Sequence, residues 1–263
     1  MKVDGSRVLL TGATGGLGAA LARAFHAKGA QLVLSGRRLD VLTPLATELG
    51  AHAVAADLSQ RADVLRLAAE AGDVDILIAN AALPATGHLL ELDQSQIDTM
   101  LAVNLDAPIA LVRALAPAMV SRERGHIVLV SSLSGKSAGP ASSIYSASKF
   151  GLRGFAHGAR ADMRGTGVGV SVIMPGFVRD AGMFADSGVK LPPGVGTSSP
   201  EQVASAAIAA IERNRGEVSV APVGVRVGAG IAAIFPDFAA AAQRLLGSEK
   251  VAPSVRATGR EAA

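Results

Sequence analysis

The run R-V-L-L-T-G-A-T-G-G-L-G, Arg7 to Gly18, decides the fold. Arg7–Leu10 reads as a short strand that is apolar on both faces, and Leu17–Lys28 as an amphipathic helix. Glycines fill the turn between them. Gly12 permits the tight turn, Gly16 lets a ligand approach the backbone, and Gly18 lets helix and strand pack closely. Free N–H groups and the positive end of the helix then meet at one point, which suits a phosphate. Glycine also serves ordinary turns, but this position, after the first strand and before the first helix, favours a dinucleotide. Its pyrophosphate would lie along Gly12, Thr14, Gly16, Leu17 and Gly18.

Outward from this unit the same alternation continues. Further strands are expected at Gln31–Ser35, His52–Ala55, Ile76–Ala79, His126–Ser131, Gly169–Met174 and Val218–Ala221. All are short and apolar throughout, as in a parallel sheet covered on both sides. Helical periodicity fills Leu39–Leu49, Arg61–Ala71, Asp93–Val120, Ser143–Arg164 and Pro200–Arg213. Ser59 and Ser199 stand where helix caps are expected, the latter with proline at the first helical position. The fold class is α/β: a single-domain, Rossmann-like, doubly wound parallel sheet of about seven strands with helices on both faces. The domain is expected over residues 1–246, with a polar, aperiodic tail over 247–263.

Composition bounds the function. Of 263 residues 49% are hydrophobic and 18% charged, and 30 are glycine, so the chain can bury a sizeable core. The net charge of +3 is small and its basic residues are scattered, and only 3% are aromatic, so no nucleic-acid partner is expected. The absence of cysteine excludes disulfides and thiolate metal sites and fits a cytoplasmic protein. The N-terminus has too short an apolar core for a signal peptide. Val223–Phe235 is the most apolar later segment, but Arg226 interrupts it and it falls short of a span of ~20 residues. No membrane span is expected, although this segment could rest on a partner or a membrane surface.

The second strand ends in L-S-G-R-R. An acidic residue there would hold the adenosine ribose hydroxyls and repel a 2′-phosphate. Here Gly36 is followed by Arg37 and Arg38, whose guanidinium groups can clamp a phosphate. The pair favours NADP(H) over NAD(H), the alternative being two solvated surface arginines. Asp57, with Leu58 beside it, follows the third strand and would flank the adenine, or else cap the next helix.

In S-S-I-Y-S-A-S-K-F, Ser142 to Phe150, the chain's one tyrosine precedes a lysine by four residues. On a helix, Tyr145 and Lys149 share a face. A phenol titrates near pH ~10, and a nearby ammonium would draw that value toward neutrality and make Tyr145 a usable acid or base. Ser132, closing the fifth strand, would stand at the same crevice.

These residues form an ordered set. T-G-x-x-x-G-x-G, Asp57, N-A-A at Asn80–Ala82, Asn104, Ser132, Y-x-x-x-K and P-G at Pro175–Gly176 occur at one characteristic spacing. The set resembles the short-chain dehydrogenase/reductase family over roughly Gly5 to Arg213. The resemblance implies that Tyr145 exchanges a proton with the substrate oxygen, and that Lys149 lowers its pKa and holds the nicotinamide ribose. It further implies that Ser132 binds the substrate oxygen and Asn104 supports a water-linked relay, with Asn80, Ala81, Pro175, Gly176 and Val178 along the cofactor wall. Hydride would pass between the nicotinamide and a secondary alcohol or ketone, with no metal. Pro108 lacks the N–H that would close onto the Asn104 carbonyl, which would leave that carbonyl for a water, or simply kink the helix.

Departures from the pattern are informative. The usual N-N-A-G reads A-N-A-A at Ala79–Ala82, and Asp180 stands where a threonine would bind the nicotinamide carboxamide. Asp180 either accepts from that amide or points away and pairs with a base such as Arg179. Residues 181–199 form a long glycine- and proline-rich stretch that reads as a substrate lid. Its Met183, Phe184, Val189 and Leu191, with Leu83, Leu133 and Ile144, hint at an apolar substrate. Residues 223–246 hold two apolar segments split by Pro236, for which a homodimer or homotetramer interface is the first reading. A non-catalytic NAD(P)-binding sensor or scaffold on the same fold is the alternative to an oxidoreductase.

Overall fold

The structure, a computed structural model, describes residues 1–84, 87–186, 191 and 195–237. The expected tail, the second apolar segment beyond residue 237, and residues 187–190 (with Val189) and 192–194 of the expected lid lie outside them.

Elements follow in the order β1 (Arg7–Thr11), α1 (Gly16–His26), β2 (Gln31–Gly36), α2 (Leu39–Glu48), β3 (His52–Ala55), α3 (Arg61–Ala71) and β4 (Ile76–Ala79). The second half contains α4 (Gln94–Leu101), α5 (Ala107–Ser121), β5 (Gly125–Val130), α6 (Ser143–Asp162) and β6 (Val168–Pro175). It closes with α7 (Met183–Asp186), α8 (Pro200–Glu212), β7 (Glu217–Val220) and α9 (Val223–Ile234). Among the described residues one seven-stranded sheet runs β3-β2-β1-β4-β5-β6-β7. Every pairing is parallel, so all strands end at one edge. The strand order reverses between β1 and β4, and the crevice opens there.

Burial on both faces explains the unbroken apolar strands. Leu9, Val33, Leu77, Ile127 and Val172 point to the layer of α3, α5 and α6. Val8, Leu10, Leu32, Leu34, Ile78, Val128 and Ile173 point to that of α1, α2 and α8. Leu58 and Val178 belong to the buried core, so any cofactor contact they make is through their backbone.

Two details depart from expectation. Ser59 caps no helix: α3 starts after Gln60 without a side-chain cap, and the Ser59 hydroxyl donates instead to Asp57 at 2.9 Å. Asp57 likewise does not cap α3. Its carboxylate accepts the Ser59 N–H at 3.0 Å and closes the turn after β3. Ser199 does cap α8, in a reciprocal box with Gln202.

The helix expected over Asp93–Val120 is two helices joined by a π turn, Ala102–Asp106, where the Ala107 N–H reaches back five residues to the Ala102 carbonyl. Pro108, at the start of α5, cannot supply the regular bond, and the register widens just before it. The run Gln94–Ser121 is long and apolar enough to cross a membrane. Here Leu111, Val112, Leu115 and Met119 bury it in the core.

Candidate active site

The glycine loop leaves β1 at the carboxyl edge. Gly12 has φ 69, and a Cβ on it would lie 2.7 Å from the Ala81 Cα. A Cβ on Gly18 would lie 2.0 Å from the Gly12 carbonyl oxygen, so strand and helix meet only because both positions are glycine. Thr11 locks β4 onto this loop: its Oγ accepts from the N–H groups of Asn80 and Ala81, each at 3.1 Å. The Asn80 amide donates to the Thr11 carbonyl at 3.0 Å.

Helix α1, like α2, α3, α5 and α6, has no side-chain cap, and it has no acid in its first turn. Its first donors thus have no protein side chain to satisfy them, which suits a dinucleotide pyrophosphate. Gly16 packs against Ala181 and Gly182, where an added Cβ would fall 2.7 Å from the Ala181 Cβ. The segment after β6 therefore crosses over the loop. At the end of β2, Arg38 donates to the Thr14 carbonyl at 3.0 Å. Arg37 is exposed, with no hydrogen bond or ion pair among the described residues.

The catalytic candidates converge at the same edge. Ser132 follows β5, and its Oγ accepts the Ser134 N–H at 3.1 Å. Its hydroxyl faces the Tyr145 phenol closely enough to favour the phenolate. One turn along α6, Lys149 is 2% exposed, its Nζ 5.6 Å from the Tyr145 ring centroid. That Nζ donates to the Val130 carbonyl at 3.1 Å.

Here the electrostatics correct the expectation. Burial pushes the Tyr145 phenol above its ordinary value, and the Ser132 hydroxyl offsets only part of this. Burial also pulls Lys149 down to about 8. The ammonium lies against the ring face and a carbonyl rather than the phenol oxygen, so in this state it does not bring the phenol toward neutrality.

Asn104 is fully buried on the π turn. Its side-chain carbonyl accepts the Leu83 N–H at 2.7 Å and its amide donates to the Leu83 carbonyl at 3.0 Å. The amide also reaches the Ser148 hydroxyl at 3.4 Å, and Ser148 donates to the Tyr145 carbonyl at 2.7 Å. Asn104 thereby joins the loop after β4 to the helix that carries Tyr145.

Asp180 has φ 66 and pairs with Arg179 at 3.2 Å, so of the two arrangements expected it adopts the one facing away. The strand after Pro175–Gly176 is pinned: Val178 bridges Ser198, and the Arg179 N–H donates to the Ser198 carbonyl at 2.9 Å. Phe177 and Phe184 stack at 5.0 Å between centroids, tilted by 56°.

Sequence reasoning missed Thr11, Ser131, Ser148, Lys136 and Glu217. The first three are buried hydroxyls beside recognised site residues. A polar residue in an otherwise apolar strand end, or three positions after Tyr145, was the available signal.

Three comparisons bear on this geometry. The family model described as short chain dehydrogenase matches residues 6–190. The ketoacyl reductase HetN of Nostoc sp. is 36% identical over 227 residues, covering 83% of this chain and 79% of that protein. Dehydrogenase/reductase SDR family member 7B of Mus musculus is 39% identical over 184 residues, covering 65% of this chain and 57% of that protein. A solved metagenomic short-chain oxidoreductase in complex with NADP superposes with a TM-score of 0.69 at 32% identity, over 84% of this chain and 99% of that one. Fold, site and relatives agree, and the chain belongs to the short-chain dehydrogenase/reductase family of NAD(P)-dependent oxidoreductases.

Proposed function

We propose that this chain moves a hydride between NADP(H) and an apolar secondary alcohol or ketone, using Ser132, Tyr145, Lys149 and Asn104. The observation that carries the reading is the convergence of Ser132, Tyr145 and Lys149 beside the uncapped, glycine-lined start of α1. The bound nicotinamide supplies or accepts the hydride, and the protein contributes position and proton transfer.

The Ser132 hydroxyl, which accepts the Ser134 N–H, has its own proton to donate to the substrate oxygen. In reduction the Tyr145 O–H bond breaks as the new alcohol O–H forms, leaving a phenolate. Lys149 stabilises that phenolate and helps hold the nicotinamide ribose. The phenol carries the proton that reduction consumes. The Asn104 backbone carbonyl, beside the widened π turn, is the proposed anchor of a relay water. Arg37, unpartnered among the described residues, supports NADP(H) through its 2′-phosphate. Asp57, Leu58, Asn80, Ala81, Pro175, Gly176 and Val178 complete the proposed cofactor wall.

The Phe177–Phe184 contact near the crevice supports an apolar substrate, and the likeness to a ketoacyl reductase makes a β-ketoacyl thioester the first class to try. The absence of cysteine supports a cytoplasmic setting. The apolar outer face of α9, with Val223, Val227, Ile231 and Ile234 exposed, supports a homo-oligomer.

The test is NADPH consumption against a panel of ketones that includes β-ketoacyl thioesters, with Tyr145→Phe as control. Turnover by the wild type and its loss in the variant are expected. A wild type that binds NADPH and reduces nothing overturns the reading.

A further inference from the structure

Tyr145, Lys149, Arg153 and His157 follow one another at four-residue intervals on α6 and so share a face. The first two belong to the reaction proposed above. The other two meet a single carboxylate on the edge strand: Glu217 accepts from Arg153 Nε at 2.7 Å and lies 2.8 Å from His157 Nε2, both at its Oε2. Its Oε1 takes Lys136 Nζ at 2.5 Å, and Lys136 also donates to Ser219 at 3.1 Å. The side chains of Lys136 and Glu217 are 16% and 20% exposed, so the pairing is sheltered from water.

Lys136 immediately follows the 3-10 turn Leu133–Gly135, which Ser132 caps. Two more contacts clamp this turn to α6. The Ser131 hydroxyl donates to the Lys149 carbonyl at 3.0 Å, and an added Cβ on Gly135 would lie 2.7 Å from the same oxygen. The turn therefore rests on the helix at its base, and its far end is tied back through Lys136 to β7.

We infer that Glu217 is a positioning residue for the reaction: by binding Lys136 with one oxygen and Arg153 and His157 with the other, it holds the turn carrying Ser132 in register with the helix carrying Tyr145. It touches neither substrate nor cofactor. Without the carboxylate, Lys136 and Arg153 face each other uncompensated, and their repulsion drives the turn away from α6. The distance that changes is the one between the Ser132 and Tyr145 hydroxyls. Cofactor binding changes less than turnover, because the glycine loop and Arg37 follow β1 and β2, across the sheet from β7.

The inference rests on the proposed reaction, and its test separates the two. Glu217→Gln, Glu217→Asp, Lys136→Met and the Glu217→Gln/Lys136→Met double variant are compared in the full chain. The readouts are kcat and KM for a ketone that the wild type reduces, NADPH Kd by fluorescence, and fold by circular dichroism. Glu217→Gln should lower kcat on the order of tenfold or more with a much smaller change in NADPH Kd. Glu217→Asp should restore part of the loss, and the double variant should be no worse than Glu217→Gln alone. A folded Glu217→Gln with wild-type kcat, or one that weakens NADPH binding as much as it lowers kcat, overturns the inference. So do additive effects in the double variant. If Glu217→Gln does not fold, Lys136→Met decides, since it leaves Arg153 and His157 on Glu217: wild-type kcat there overturns the inference. A wild type without turnover overturns the reaction itself, and this inference with it.

Discussion

Lys149 Nζ stands 5.6 Å from the centroid of the Tyr145 ring and spends a hydrogen bond on the Val130 carbonyl at 3.1 Å. The lysine is thus poised beside the phenol without being bonded to its oxygen. The phenol is held protonated by burial, and the cation is loosened by the same burial.

Removing the phenol hydroxyl separates chemistry from binding. Tyr145→Phe should lower kcat by about 10²- to 10⁴-fold, the range for loss of a positioned proton donor, while NADPH still quenches fluorescence with the wild-type Kd. Residual activity within tenfold of wild type would remove Tyr145 from proton transfer.

Lys149 should also be visible in stability. Its folded-state pKa of about 8 lies below the ordinary 10.5, so between these values the unfolded chain binds more protons and stability rises with pH. The buried charge costs roughly 3 kcal/mol at neutral pH. Lys149→Met should abolish turnover, yet its melting temperature relative to wild type should be highest at pH 7 and fall as the pH approaches 10. A difference that does not change with pH would contradict the burial argument.

His126 gives the acid-side counterpart. Burial first, then the positive N-terminus and Arg160, pull it from 6.5 to about 3. Ser171 donates its proton to the Arg215 carbonyl at 2.6 Å, so His126 Nε2 must be the donor in its 2.8 Å contact with Ser171. The neutral ring's stability is fully present above pH 6.5 and is lost as pH falls toward 3, at about 1.4 kcal/mol per pH unit. His126→Gln keeps a donor for Ser171 and should flatten the melting temperature between pH 6 and 4. An unchanged acid slope would refute it.

The two arginines after β2 should behave differently. Arg37 has no partner among the described residues, and Arg37→Ala should raise the KM for NADPH about tenfold or more, as for a lost charged hydrogen bond, and leave NADH alone. Arg38 braces the Thr14 carbonyl, so Arg38→Ala should weaken both cofactors alike. Equal effects of Arg37→Ala on both cofactors would end its assignment to the 2′-phosphate.

Much of this was legible in the chain because it is local. Each strand was placed within about one residue, since a doubly covered sheet writes itself as short apolar runs. Tyr145 and Lys149 are one helical turn apart, and Pro108 marked the break near Asn104. What escaped depends on distance or solvation. Glu217 meets Lys136, Arg153 and His157 across 60 or more residues, and no spacing rule announces such a meeting. The raised phenol was misread because its cause is the dryness of an assembled site, whereas the lysine is visible as a letter. Ser59 was a fair cap by residue type, but Asp57 engages its hydroxyl first.

The bridge between Val178 and Ser198 has an evolutionary corollary. Both stems of the intervening stretch are stapled to the scaffold, and Ser198 is fastened once more to the Val220 carbonyl at 3.3 Å. Beyond Ala181 and Gly182, which pack against Gly16, the peptide between the staples can change in sequence with the sheet untouched. Such a stretch is free to drift in descendants of this chain while the fold that frames it stays the same.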